Sequence, residues 1–214
     1  MEKAKLIIFS APSGAGKSSL TRKLIQLSDQ SIELSVSATT RASRDGEVHG
    51  KDYFFISDDE FNQMKDNDAF LESANVHGFQ YATIKSYVQE KINSGISVIL
   101  DIDVQGFTQI KNSLMEHISI FILPPSFEEL EKRLFTRGQD SNEVISKRLK
   151  NAVTELKYAD MFDYVVLNDE FNKTIETLSS ILFEENFKYN DKNIENILRA
   201  VSYTHLTLPT KCSV

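Results

Sequence analysis

The chain has 214 residues, 41% of them apolar and 26% charged, enough for one large α/β domain or for a core with an inserted lobe. A net charge of −7 excludes the broad basic surface that a nucleic-acid polymer needs, so any anion site must be a local cluster of Arg and Lys. The single cysteine, Cys212, excludes an intrachain disulfide and fits a reducing cytoplasm, and no apolar run has the length of a secretory signal or a membrane span.

The first predicted element is a strand over 5–10, with Leu6-Ile7-Ile8-Phe9 apolar at every position. Ala11-Pro12-Ser13-Gly14-Ala15-Gly16-Lys17-Ser18 follows, and a helix is predicted over 17–27. Strand, glycine-rich loop and helix in that order are the setting of a phosphate-binding loop. Glycines let successive backbone N–H groups turn inward around a phosphate chain, and the helix N-terminus adds partial positive charge. Lys17 is placed to reach the β- and γ-phosphates of a bound phosphate chain, and the Ser18 hydroxyl to ligate Mg²⁺. Ala11 stands where the first glycine usually is, which requires a negative φ at that residue.

A second strand is predicted over 33–37. Residues 38–82 then break the rhythm: they are rich in Arg, Gly, Tyr and Phe and read as a small, mostly antiparallel lobe inserted into the core. Arg41 and Arg44, three apart and close to Ser/Thr hydroxyls and Tyr53, can converge on one phosphate through the fork geometry of guanidinium. A solvated loop with scattered charge explains the same residues. Ser57 and Glu60 have the spacing of a helix-capping box.

Beyond the lobe come a helix over 84–94, a strand over 97–101 and a helix over 104–114. Asp101 ends the strand, where carboxylates of parallel sheets face the ligand crevice, and is the natural acid on the Mg²⁺ side. An ordinary strand-to-helix turn with aspartate caps is the competing explanation. A strand over 118–123, helices over 126–136 and 142–158, a strand over 164–167 and a helix over 172–187 complete the pattern, with a second capping box at Ser126 and Glu129. Arg133 and Arg137 lie on one helical face and Arg148 on the next helix, flanking a loop at about 136–142 that reads as a lid. Three guanidiniums there suit a transferring phosphoryl group, and ion pairs with Glu128, Glu129 or Glu131 are the alternative. Residues 200–214 lose the acidic, helical character of the chain and read as a non-native or disordered tail. The histidines have no ligand spacing, so no zinc site is assigned. Strands alternating with helices imply βαβ units: an α/β fold of the P-loop NTPase type, with a parallel sheet flanked by helices.

Taken together, the ordered strings S-A-P-S-G-A-G-K-S-S, S-V-S-A-T-T-R, G-K-D-Y, F-L-E, L-D-I-D-V-Q-G, P-P-S, K-R-L…R-G, K-R-L and V-V-L-N-D resemble the guanylate kinase family from about Lys5 to about Phe183. The resemblance implies an enzyme that phosphorylates GMP, and dGMP, with ATP and Mg²⁺ in purine nucleotide metabolism. It implies a core of 1–37 and 83–199, a GMP-binding lobe at 38–82, and closure of lobe and lid to exclude water. Positions matching Arg41, Arg44, Tyr53 and Tyr81 hold the GMP phosphate in such enzymes. Those matching Ser37, Glu72 and Thr83 read the guanine, and Asp101 sits beside nucleotide and metal. The loop from Ala11 to Ser19 and Asn168, near the adenine, bind ATP. Lys17, Arg41, Arg133, Arg137 and Arg148 neutralise charge during transfer. A monomer or homodimer is expected, with no membrane or nucleic-acid partner. Ala82 and Phe79-Gln80 depart from the family pattern and put GMP affinity at issue. Another acceptor, such as a ribose bisphosphate, or a protein-binding relative with a dead nucleotide site are the other classes; base-reading residues count against the first and an intact Lys17-Ser18 against the second.

Overall fold

The computed structural model describes residues 4–28, 31–76, 78–111, 116–136, 142–184, 187–189 and 194. Arg137, most of the predicted lid and the tail at 200–214 lie outside them. The described residues form two compact units, one of those up to Ser10 together with Thr21–Ser119, the other of Ala11–Leu20 and those from Ile120 onward.

The first unit begins with β1 (Leu6–Ser10), every residue of which is buried. α1 (Lys17–Leu27) enters the unit at Thr21, and β2 (Ile32–Leu34) follows. Then come β3 (Ala38–Thr39), β4 (Phe54–Phe55), α2 (Asp58–Asp66), β5 (Phe70–Val76), β6 (Phe79–Ile84), α3 (Lys85–Asn93), β7 (Ser97–Asp101) and α4 (Val104–Lys111). β7 pairs in parallel with β1 on one side, from Leu6↔Val98 to Phe9↔Asp101, and with β2 on the other. Strands buried on both faces need apolar residues at nearly every position, which is what β1 and Val98-Ile99-Leu100 supply. The second predicted strand is shorter than expected: the ladder ends at Leu34, although Ser35 N–H still donates to the Ile99 carbonyl at 2.9 Å.

Residues 38–84 build a separate four-stranded sheet in the order β4-β3-β6-β5. Two of its pairings, β3–β6 and β5–β6, are antiparallel, and β3–β4 is parallel. Ala38, Phe61, Phe70 and Ala82 form its core, with the Phe61 and Phe70 rings 4.7 Å apart. α2 supplies Phe61 from a start that the capping signal had marked: Ser57 Oγ accepts the Glu60 N–H at 3.1 Å. Three acids in its first turn and Lys65 in its last complement the helix dipole.

The second unit takes over from β8 (His117–Leu123) at Ile120 and continues through α5 (Phe127–Thr136), α6 (Asn142–Leu156), β9 (Tyr164–Leu167) and α7 (Phe171–Phe183). β8 and β9 pair in parallel from Ile120↔Tyr164 to Leu123↔Leu167. Leu130 and Leu134 of α5 bury against Ile145 and Ala152 of α6. α5 starts where its capping signal lies, with Glu129 N–H donating to Ser126 Oγ at 3.1 Å. α6 stops at Leu156, before a short 3₁₀ turn at Ala159–Met161. Among the described residues, no helix is long and apolar enough to cross a membrane.

Candidate functional site

The glycine-rich loop connects the end of β1 to the start of α1, as its sequence requires. Ala15 N–H donates to the Pro12 carbonyl at 3.0 Å, and the Ser19 and Leu20 N–H groups both reach the Gly16 carbonyl, at 3.1 and 3.2 Å. Gly14 and Gly16 each hold φ at +98°, a conformation that side chains rarely adopt. Ala11 is outside that region, so the alanine is accommodated without strain. Lys17 is half-buried at the first position of α1, with Ser18 and Ser19 exposed beside it.

Side chains of the second unit brace this loop. Arg148 on α6 donates to Ser13 Oγ at 2.6 Å. Asn168, buried just after β9, donates from its backbone to the Leu123 carbonyl at 2.8 Å and from Nδ2 to the Ala15 carbonyl at 2.7 Å. A Cβ at Gly16 would collide with that same amide nitrogen. Asn168 is thus a strut for the loop, a contact that the strand-end spacing gave no hint of. A cavity of about 410 Å³ opens beside Gly14 and Gly16 and is lined by Glu129, Lys132, Arg133 and Thr136 of α5. Arg133 lines it while its Nε pairs with Glu129 at 3.0 Å, so one of the ion pairs weighed from the sequence is formed at the cavity wall.

The first unit holds a second cavity, of about 220 Å³. Ser37, Tyr53, Thr83 and Asp101 line it, four residues singled out from the sequence, together with Ser35 and Asp52, which were not. Asp101 is exposed at the C-terminal end of β7. Thr83, which lines the cavity, donates its hydroxyl to Glu72 Oε1 at 2.7 Å. Glu72 is 8% exposed. Burial pushes its pKa above the usual carboxylate range; Asp103 adds to the rise and the Thr83 hydroxyl opposes it.

Arg41 is tied into the same neighbourhood through aromatic rings. Its guanidinium lies 5.3 Å from the Tyr53 ring centre and 5.8 Å from that of Phe55, and the Tyr53 and Tyr81 rings are 6.0 Å apart. Both ends of the guanidinium fork are taken by Glu47, at 2.8 and 3.0 Å, and Arg44 N–H donates to the same carboxylate at 2.7 Å. The Glu47 contact raises the arginine pKa further, and Arg41 in turn lowers that of Glu47. Sequence reasoning missed Glu47, which is one of three acids, with Asp45 and Asp52, between the paired arginines and Tyr53, so nothing in the sequence singled it out.

Two of the departures, Ala82 and Gln80, have visible structural roles. Ala82 is completely buried and its methyl packs in the lobe core with Ala38, Phe61 and Phe70. Side chains alternate across a strand, so Tyr81 and Thr83 lie on the other face from that methyl. The Gln80 side chain donates from Nε2 to Asp58 Oδ1 at 3.2 Å, while its backbone N–H and carbonyl, which any residue would supply, bond Thr40 Oγ1 and Thr40 N–H, both at 3.1 Å. Among the described residues, no group of three or more His, Cys, Asp or Glu is arranged to hold a metal ion.

Comparison with known proteins gives one consistent result. Residues 3–185 match the family model described as guanylate kinase. The chain is 46% identical over 204 residues to a guanylate kinase of Polaromonas sp. strain JS666, covering 95% of this chain and 97% of that one. It is 46% identical over 189 residues to the guanylate kinase of Escherichia coli K12, covering 88% and 91% respectively. The crystal structure of guanylate kinase from Anaplasma phagocytophilum superposes with a TM-score of 0.66 at 31% identity, covering 94% of this chain and 96% of that chain.

Proposed function

Because the chain belongs to the guanylate kinase family, we propose that it transfers the γ-phosphoryl group of ATP to GMP, giving ADP and GDP, with dGMP as a second acceptor. The observation that carries the acceptor identity is the buried Glu72 carboxylate held by Thr83. Guanine presents N1–H and its 2-amino group side by side, two donors that one carboxylate accepts together. Adenine presents an acceptor at N1 and would leave Glu72 desolvated and unpaired, a mismatch that can discriminate by roughly 10⁴.

The residues divide the remaining work. Ser37 joins Glu72 and Thr83 at the base; Arg41, Arg44, Tyr53 and Tyr81 hold the GMP phosphate. Arg41 comes to it already oriented by Glu47. The loop from Ala11 to Ser19 wraps the ATP phosphates with backbone N–H groups, and Asn168 and Arg148 keep that loop in shape. Lys17, Arg133, Arg137 and Arg148 offset the charge that builds up on the phosphoryl oxygens, where catalysis is mostly positioning and electrostatics. No covalent enzyme intermediate is needed. The Ser18 hydroxyl and the Asp101 carboxylate are hard oxygen donors of the kind Mg²⁺ prefers. Bound with ATP, the ion would neutralise phosphate charge. Residues 38–82 act as the GMP lobe, with 1–37 and 83–199 as the core and about 136–142 as the lid. An acidic chain with one cysteine suits the reducing cytoplasm in which nucleotides are interconverted.

ADP release measured with GMP, dGMP, AMP, UMP and ribose 1,5-bisphosphate as separate acceptors tests this reading. Turnover strongly favouring GMP and dGMP is the expected result. Preference for another acceptor, or ATP binding without turnover on any of them, would overturn it.

A further inference from the structure

Among the described residues, β5 is the outermost strand of its sheet and pairs only with β6. The outward N–H and C=O groups of an edge strand must find another partner or water. At Ser73 one side chain takes both. Ser73 N–H donates to Gln109 Oε1 at 3.0 Å, and Gln109 Nε2 donates to the Ser73 carbonyl at 3.0 Å. The carboxamide reproduces the donor–acceptor pair of a peptide unit, so it acts as a strand one residue long. Its Nε2 also lies 3.4 Å from the Gln105 carbonyl of its own helix.

Ser73 directly follows Glu72, and the β5–β6 register shifts between Phe70 and Glu72. A shifted register leaves the direction of the next side chain only partly fixed by the ladder. α4 packs along β5 and brings three residues at intervals of three, which places them on one helical face. Asp103 caps the helix by accepting the Gln105 and Gly106 N–H groups at 3.0 and 2.8 Å. Gly106 leaves room for the carboxylate: a Cβ there would stand 3.0 Å from Glu72 Oε2. Gln109 holds the backbone one residue further along.

We propose that Gln109 is a positioning residue for base discrimination, holding the Ser73 backbone and through it the aim of the Glu72 carboxylate. The proposal rests on the reading of Glu72 as the guanine acceptor. In this role Gln109 acts through β5, by its two hydrogen bonds to the Ser73 backbone.

The test is kcat/KM for GMP and for inosine 5′-monophosphate, which lacks the 2-amino group, in the wild type, Gln109→Met, Gln109→Glu and Glu72→Gln. KM for ATP and the melting temperature are followed in parallel. Losing two hydrogen bonds at an exposed site should cost Gln109→Met about three- to tenfold in kcat/KM for GMP, through KM, with a change of less than about twofold for the inosine nucleotide and for ATP. Gln109→Glu keeps the acceptor for Ser73 N–H but sets a carboxylate against the Ser73 carbonyl, so it should lose preference while remaining folded. If Glu72→Gln loses the preference for GMP and both Gln109 variants keep it, the proposal is overturned and the Glu72 reading stands. If Glu72→Gln keeps the preference, the Glu72 reading fails and this inference falls with it. An equal loss on all three nucleotides with a lower melting temperature would make Gln109 merely structural and would also overturn the proposal.

Discussion

In the loop at 11–18, the groups on offer are backbone N–H groups, aimed by two glycines at φ +98° and braced from behind by Asn168 and Arg148. In the cavity of the first unit they are side chains, drawn from Ser37, Tyr53, Thr83 and Asp101, with Arg41 over the Tyr53 ring and itself held by Glu47. A backbone site is written as one contiguous string, because each residue's conformation is the function. A side-chain site is scattered along the chain, because the fold has to bring its members together, and each member depends on a neighbour that does not touch the ligand. The first kind should fail at single positions through geometry. The second should fail by degrees and selectively for one substrate.

The sharpest break is at Lys17. Lys17→Ala leaves the loop backbone intact and removes the charge from the transferring group, so kcat should fall by about 10³, measured in the coupled ADP assay with both substrates saturating. Near-normal turnover would remove Lys17 from the reaction. On the other side of the comparison, Glu72→Gln should raise KM for GMP by about 10², the scale of one charged hydrogen-bond pair, and leave KM for ATP alone. An equal effect on both nucleotides would dissolve the distinction between the two sites.

Gly16→Ala tests the backbone logic directly. The substitution meets both a positive φ and the Asn168 amide, with strain of about 1–3 kcal/mol. KM for ATP should rise by about five- to 150-fold, the equivalent of that strain, while KM for GMP holds. A smaller effect comes from pH. On the proposed reading the Glu72 carboxylate takes both guanine donors only when ionised, and its pKa is raised, mainly by burial. GMP binding therefore weakens as pH falls through that raised value, beginning at a higher pH than an ordinary carboxylate would allow. The GMP phosphate titrates at about pH 6 in any variant, so the component to look for is the one present in the wild type and missing in Glu72→Gln, and KM for ATP should be the same function of pH in both proteins. The smallest effect expected is on stability in Glu129→Gln. The Arg133 pair is about one-third exposed on each side, so its loss should change stability by about 0–1 kcal/mol in a denaturant titration.

The parallel-sheet strands were readable from the sequence because burial on both faces forces an apolar residue at nearly every position, as in Leu6 to Phe9. The phosphate loop was readable for the reason given above: its shape is local. Ser57 and Ser126 marked their helices through a hydroxyl that serves a donor three residues on. Tertiary partners left no such trace. Nothing in the spacing of Asn168 from Ala15, or of Gln109 from Ser73, is periodic, since these pairs exist only after the chain has folded. Glu72 shows the middle case. Its place came from resemblance to a family, and its chemistry became physical only with the Thr83 hydroxyl against it and Gly106 making room. The sequence also marked Ala82 as a change near the base, whereas its methyl belongs to the core of the lobe.

The occupied outer edge at Ser73 bears on more than substrate choice. An unpaired strand edge is a template on which a second chain can add, and the β5–β6 hairpin carries Val76 and Phe79 exposed near its turn, the apolar kind of surface that favours such addition. A carboxamide that already fills the hydrogen-bonding positions at Ser73 interrupts that template part-way along the strand. The Gln109 carboxamide thereby removes one donor–acceptor pair on which strand-to-strand addition depends.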